Sequence, residues 1–413
     1  MEREGIERPL PQIPLQKIGE QKNIIKVPLG GFRGLIQNVK IVLPFIMLQQ
    51  ENTFWSAVWI RLKKNKPAMA GLLFILFTLF ISVFGYWMAP DNTSNADLQT
   101  LEIQAKPAGF KQLCLLVNNP NFIDNGIWQT LLQGKNSKYN YIPINNYHIN
   151  GNRLLVEKYV DDDTSLLQEF NINTITGNHP ENIKNHFTTK TYRLGTDAFG
   201  RDILSRLIIG SRVSLSVGFI ALIVALIIGI TLGAIAGYYR GKIDAVIMWL
   251  INVTWSIPTL LLVFAFTIAF GKGFWQIFIA VGLTMWIGVA RLVRGQVMLI
   301  KNLEYVQVAK TMGFSDMRII VKHILPNIIG PLMVIAAGIF ASAIIIEAGL
   351  SFLGIGIQPP QPSWGLMIKE NYTFIITNKP LLALIPGIAI MLLVLAFNLL
   401  GNGLRDAFDV KSM

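Results

Sequence analysis

The sequence predicts an all-α polytopic membrane protein of six transmembrane helices with a small mixed insertion on the extracytoplasmic side. Three observations carry that prediction. The chain is 52% apolar and only 15% charged over 413 residues, with a positive mean hydropathy. A soluble globule is more charged than that. The apolar residues gather into uninterrupted runs of about 20 residues, the length at which a helix crosses the hydrocarbon core of a bilayer. From Pro90 to Tyr192 the character changes completely, to Asn, Asp, Thr and Lys with short alternating stretches such as Asn140–Ile149 and Arg153–Val160.

Taken in order, residues 1–67 read as a cytoplasmic N-terminal tail. Pro9, Pro11, Pro14 and Pro28 break up its start, and Val39–Leu48 is an interfacial segment too short to span. The first sixty residues lack the h-region of a cleavable signal peptide. Trp55 and Trp59, then Arg61, Lys63, Lys64 and Lys66, form an aromatic and basic collar before the first span, 68–88. The insertion occupies 89–193. Its Asp161-Asp162-Asp163 run reads as a solvated turn, since the Gly and Glu spacing of a calcium loop is missing. Residues 194–212 have helical periodicity from Asp202 onward, which places Arg201, Arg206 and Arg212 on polar positions of an interfacial helix.

The second span is 213–237. Gly229, Gly233 and Gly237 recur every fourth residue and admit a second helix at close range, within this chain or from another subunit. The third span, 243–270, is broken or kinked at Pro258. The fourth is 274–290, the fifth 328–349 and the sixth 381–400. Residues 350–380 form an outer loop and 401–413 a short tail. An even number of spans puts both termini on one side. Arg240, Lys242, Arg405 and the collar make that side cytoplasmic, against Arg201, Arg206 and Arg212, which a long translocated segment tolerates. The +12 net charge is that of basic loops beside anionic lipid and requires no nucleic acid.

Residues 291–327 are the informative exception to this apolar pattern. Glu304–Met312 holds no Gly or Pro and forms a short helix. Gly313 stops it, because glycine alone enters left-handed φ cheaply. Ser315 then N-caps a second helix with Asp316 in its first turn, and Pro326 closes it. The product is a helix–Gly–helix hairpin at the membrane surface. It either rests among lipid headgroups or docks a partner protein.

The rest of the chain bears on that choice by what it omits. The spans hold almost no ionisable groups, which ion-coupled transporters carry to bind their coupling ion. No G-x-x-x-x-G-K-[ST] phosphate loop is present, and no H-E-x-x-H or G-x-S-x-G. The four histidines have no metal-ligand spacing, and the lone Cys114 forms no intrachain disulfide. A polytopic protein with a docking hairpin and no energy source of its own borrows energy from a partner.

The hairpin resembles the cytoplasmic "EAA" loop of importer-type ABC permeases. Ala309, Gly313, Leu325 and Pro326 match that pattern, whereas Gln307, Val308 and His323 depart from it. Its surroundings, together with L-G-T-D-A-F-G-R-D-I-L-S-R-L-I-I-G-S-R-V-S-L at Leu194–Leu215, E-A-G-L-S-F-L-G-I-G-I-Q-P-P-Q-P-S-W-G at Glu347–Gly365 and F-W-S-A-V-W-I-R-L-K-K-N-K-P-A at Phe54–Ala68, are similar to the dipeptide/oligopeptide branch.

The resemblance implies the type I ABC importer permease fold with a core of about 212–401, and a C-type subunit that is itself not an enzyme and binds no cofactor. It implies four kinds of neighbour: a homologous B-type permease, two cytoplasmic ATPase subunits that bind the ATP, an extracytoplasmic peptide-binding protein, and the lipid of a bacterial inner membrane. Coupling to an ATPase would fall to Glu304, Gln307, Ala309, Gly313, Ser315, Asp316, Arg318 and Pro326. Glu347, Gln358 and Trp364 would line an outer gate or meet the binding protein. Alternatively, Glu347 caps backbone at a span end and Trp364 anchors at the interface. Permeases for another cargo, such as nickel, share these motifs. A passive channel or secondary transporter is the rival class.

Overall fold

In a computed structural model of the chain, the described residues are 54–120, 122, 126–176, 180–271, 273–377 and 379–408. The expected tail before Phe54, with its interfacial segment Val39–Leu48, and residues 409–413 lie outside them. Among the described residues, five helices are long and apolar enough to cross a membrane, and a bent pair makes a sixth.

Helix α1 (Phe54–Lys64) occupies the collar that reads as tail. Its Val58 and Leu62 are buried with Leu404 and Ala407, which gives this amphipathic stretch a reason to be helical. Asn65 then caps α2 (Lys66–Met88), the first span, by accepting from the Ala68 N–H at 3.1 Å.

The insertion follows α2 and is built on five antiparallel strands: β1 (Phe110–Asn118), β2 (Tyr139–Asn150), β3 (Arg153–Tyr159), β4 (Ser165–Asn171) and β5 (Phe187–Tyr192). Their spatial order is β4-β3-β2-β1-β5. A seven-residue helix, α3 (Ile127–Gln133), lies between β1 and β2. A shorter one, α4 (Ile172–Thr176), follows β4 and buries Ile172 and Ile175 against Leu115, Ile144, Leu154 and Val156. The Asp161–Asp163 run is the turn between β3 and β4. Asp161 accepts from the Asp163 and Thr164 N–H groups, and Asp162 pairs with Lys106 at 2.6 Å. The Lys106 ammonium and the Tyr159 hydroxyl hold the Asp162 carboxyl below its ordinary value.

The segment 194–212 and the second span are not separate elements. A turn pinned by a Thr196–Asp202 bridge leads into one 37-residue helix, α5 (Ile203–Tyr239). Asp202 caps it by accepting from the Ser205 N–H and hydroxyl. Nothing between that cap and Tyr239 breaks a helix, so no hinge forms at the lipid boundary. Nor do the arginines face solvent. Arg201 and Arg206 are 2% and 1% exposed, because carboxylates from two distant stretches and from Asp197 nearby meet them. Arg201 donates to Asp197 (2.7 Å), Asp97 (3.2 Å) and Glu370 (2.6 Å), and Arg206 donates to Glu370 (2.9 Å). Arg212 reaches the Leu131 carbonyl at 3.1 Å and lies over Tyr86.

The next span breaks at Ser256–Pro258 into α6 (Gly241–Trp255) and α7 (Thr259–Phe270), which meet at 93°. Helix α8 (Phe274–Ile300) runs past the expected end of the fourth span at 290. It can do so because its charges are bonded: Arg294 forks onto Asp244 at 2.5 and 2.7 Å, and Arg291 donates to Asn252 at 2.9 Å. The seam between α5 and α8 is where the recurrent glycines lie. A Cβ on Gly233 would sit 2.5 Å from the Ala290 carbonyl oxygen, and one on Gly237 2.7 Å from that of Arg294. The small-residue stripe therefore serves a contact within the chain, which its spacing alone left open.

After the hairpin helices α9 (Glu304–Thr311) and α10 (Asp316–Ile319) come α11 (Ile329–Phe352), α12 (Trp364–Asn371) and α13 (Leu381–Phe408). Helix α12 lies inside the stretch that reads as loop. Helix α13 continues through 401–408, which reads as tail, since Leu404 and Ala407 are buried there and Asn65 donates to Asp406 at 3.2 Å.

Candidate functional site

The hairpin begins where α8 ends. Helix α9 (Glu304–Thr311) is followed by Met312, Gly313 and Phe314, then by α10 (Asp316–Ile319). Gly313 adopts φ +81°. Its N–H donates to the Lys310 carbonyl at 3.0 Å, and the Phe314 N–H donates to that of Ala309 at 3.2 Å. This paired closure of a helix C-terminus needs a left-handed residue after the last helical one, and an apolar contact accompanies it. Here Phe314 packs in the cluster that holds Ala309. No atom would meet a Cβ on Gly313, so backbone conformation is what reserves the position for glycine.

Val306, Ala309, Ile319, Ile320, Ile324 and Ile328 are buried in one cluster with Val293 and Val297 of α8 and Ala234 and Tyr238 of α5. At about 1.5–3 kcal/mol for each fully buried Val or Ile side chain, this inner face docks the hairpin on the bundle itself. The outer face is open: Tyr305, Val308, Met312, Met317 and Val321 are exposed, with Lys310, Arg318 and Lys322 among them.

The residues expected to carry coupling divide by what they touch. Gln307, a departure from the family pattern, donates its amide to the Lys301 carbonyl at 2.7 Å and so closes the end of α8. Asp316 accepts from the Tyr238 hydroxyl at 2.6 Å, fastening the second arm to α5. Lys301 donates to the Tyr238 carbonyl at 2.5 Å and lies over its ring; burial pushes its ammonium pKa down, with Lys310 and Arg240 adding to the effect. Arg318 lies over Phe314, which stacks on His323. Glu304 is exposed in the first turn of α9. Ser315 has the backbone of an N-cap, but its side chain makes no capping bond.

Pro326 does not close the second arm. Residues 316–352 run as one helical path into α11, through a π turn at Ile320–Ile324 and a 3₁₀ turn at Leu325–Ile328. Proline removes one donor and crowds the preceding turn, and the widened π turn absorbs both effects. The Asn327 amide takes over as donor to the His323 carbonyl at 2.7 Å, and also reaches the Tyr305 hydroxyl at 3.1 Å on the first arm.

Of the outer candidates, two are buried. Glu347 is 0% exposed and accepts from Ser351 at 2.7 Å, while its second oxygen has no partner. Trp364 is 4% exposed, donates to the Leu207 carbonyl at 2.9 Å and packs on Gly210. Gln358 is exposed and lines a recess of about 310 Å³ with Asn95, Phe274 and Gln361. The three lie near one another: a Cβ on Gly365 would sit 2.5 Å from the Ala348 Cα, and Ser351, which donates to Glu347, accepts from the Ile357 N–H beside Gln358.

Sequence reasoning missed a larger feature. A cavity of about 900 Å³ lies between the α6–α7 break, α8, α11 and α13. Its wall on α11 runs from Gly330 to Ser342, directly beyond the hairpin arm. Pro258 marked the break, but no local pattern joins four helices so distant in sequence. Among the described residues, no group of three or more His, Cys, Asp or Glu side chains could hold a metal ion.

The family described as binding-protein-dependent transport system inner membrane component matches residues 229–412. The N-terminal TM domain of oligopeptide transport permease C matches residues 53–107. The chain is 42% identical to a glutathione transport system permease protein of Pectobacterium atrosepticum, over 55% of this chain and 75% of that one. It is 43% identical to a dipeptide transport system permease protein of Bacillus subtilis, over 52% and 68%. With a glutathione transport system permease protein of Shigella boydii the identity is 31%, over 91% and 96%. Among solved structures, a chain of the MetNI methionine ABC transporter in an inward-facing conformation aligns at 18% identity over 49% and 97%, with a TM-score of 0.41.

Proposed function

Since the chain belongs to the inner-membrane components of binding-protein-dependent transport systems, we propose that it is the C-type permease subunit of an ATP-driven peptide importer. One observation supports this reading above the others: the open arm of the hairpin and the wall of the large cavity are successive parts of one helical path, 316–352. A partner seated on Val308, Met312 and Met317 therefore pushes on a lever whose far side borders a passage. Two ATPase subunits, closing on ATP, are the proposed drivers; a homologous B-type permease supplies the other half of the passage, and a peptide-binding protein delivers cargo at the opposite end. The hairpin then faces the cytoplasm of a bacterial cell, as do both termini, and ATP is bound by the partners alone. Relatives whose names specify dipeptide and glutathione transport support a small peptide as cargo.

In this mechanism the inner face of the hairpin carries load and its outer face recognises the partner. Gly313 sets the angle between the arms. Tyr238–Asp316 and Tyr305–Asn327 keep that angle from being absorbed as local bending. Movement of the tip then tilts α11 and changes the cavity's width, the small displacement of a packed helix that two-state switching uses.

The test is copurification in detergent followed by reconstitution. Recovery of a second permease and two ATPases with this chain is the expected result, and peptide uptake should require all of them. Gly313→Pro fixes φ near −65° and removes the N–H that bonds Lys310, so the assembled complex should hydrolyse ATP without importing peptide. Gly313→Asn, which enters left-handed φ at little cost, should retain most uptake. Normal uptake by Gly313→Pro would falsify the coupling role. Uptake that persists without the ATPases would revive the channel reading.

A further inference from the structure

The large cavity has an unbalanced wall. Its lining is mainly apolar, with Thr259, Thr284, Ser342 and Asn398 as neutral polar groups. Two charged residues line it, Arg291 and Arg405, and no acidic one does. Among the described residues, neither arginine has a carboxylate within ion-pairing distance, unlike Arg201, Arg206 and Arg294 in the same chain.

Arg291 is held in place without being neutralised. Its guanidinium lies 3.5 Å from the centre of the Trp255 ring, and one Nη donates to Asn252 at 2.9 Å. Its Nε–H is buried with no acceptor. Trp255 and Asn252 belong to the turn of helix just before the break at Pro258, so the bend in the chain presents this group to the cavity. A cation kept beside an apolar wall and given no anion is costly unless something else supplies the anion. A planar guanidinium, stacked on an aromatic face, is suited to a carboxylate, which it binds through two parallel hydrogen bonds.

We infer that this cavity reads a carboxylate of the cargo, with Arg291 as the residue that contacts it and Arg405 as a second positive charge on the same wall. The inference rests on the peptide-import reading and narrows it to peptides with a free C-terminal or side-chain carboxylate. Asn252 and Trp255 are positioning residues: they fix the plane of the guanidinium.

The experiment uses the complete importer in proteoliposomes and compares uptake of trialanine with that of trialanine amide. The binding protein contributes its own preference for a free carboxylate, and that contribution cancels when the acid-to-amide ratio of a variant is divided by that of the wild type. Arg291→Gln is expected to lower the ratio about tenfold, as the loss of a charge-assisted pair implies. Arg291→Lys, which keeps the charge but not the planar fork, should fall between, and Arg405→Gln should lower the ratio less. An unchanged ratio in Arg291→Gln overturns the inference while leaving peptide import standing. If Arg291→Gln imports neither peptide, the ratio in Arg291→Lys decides: a lowered ratio supports the inference and a wild-type one overturns it. Failure of the wild-type importer to take up any peptide overturns the import reading itself.

Discussion

Arg201→Ala is expected to destabilise the folded chain by about 3–5 kcal/mol, the cost of removing one member of a buried ion pair. The arithmetic of charge explains why the effect should be large. Arg201 and Arg206 face Asp97, Asp197 and Glu370, and both Arg201 and Asp197 are almost wholly buried. Removing Arg201 leaves one cation among three carboxylates, and Asp197 loses its 2.7 Å partner. Glu370→Gln instead leaves two cations and two carboxylates, and should cost less than about 2 kcal/mol as a lost charged hydrogen bond. Arg201→Lys should fall between, because an ammonium cannot address three carboxylates in one plane. The chain's lone cysteine, Cys114, is buried in β1 and serves as the reporter. A maleimide dye should label it at a lower temperature in Arg201→Ala than in wild type. Coincident labelling curves would contradict the expectation.

The second large effect belongs to Gly233→Leu. Overpacking a core costs about 1–3 kcal/mol when side chains can move aside. Here the obstruction is the backbone oxygen and Cα of Ala290, at 2.5 and 3.0 Å from the position of a Cβ, and neither can rotate away. The only relief is separation of α5 from α8, the pair on which the inner face of the hairpin rests. The variant should therefore lose monodispersity in detergent and fail to capture the other subunits. Gly295→Ala, on the partner helix α8 but with nothing near its Cβ, should behave as wild type. A monodisperse, assembling Gly233→Leu protein would show that the seam tolerates separation.

How much of this was legible in the sequence depended on range. Apolar runs locate spans because their signal lies within each run, and Gly313 was readable because only its own φ matters. Helical period places Arg201 and Arg206 on polar positions of an interfacial helix. Their partners Asp97 and Glu370 lie 104 and 169 residues from Arg201, and periodicity reports nothing at that distance. Asp197, four residues before Arg201, was the local clue. The burial of Trp364 was not legible for the same reason, since the acceptor of its N–H is on α5. Pro326 was read as a stop because the rule against proline in helices is local. Donors from Tyr305 and Asn327 and a widened turn overrode it. The glycine stripe was readable as a stripe, while its partner Val289–Val297 was not.

Helix α5 has a further consequence. One end is fixed by Asp202 and the charged cluster beside the sheet, and the other by Tyr238 against Asp316 in the hairpin. At 1.5 Å per residue these anchors stand about 50 Å apart on a single rod. A ligand that binds at the sheet end and favours one setting of that rod changes the affinity of whatever grips the hairpin by some factor. The hairpin's occupant must change the first ligand's affinity by the same factor, because the two equilibria share one cycle. Measuring either affinity with and without the other ligand therefore measures both directions of signalling at once.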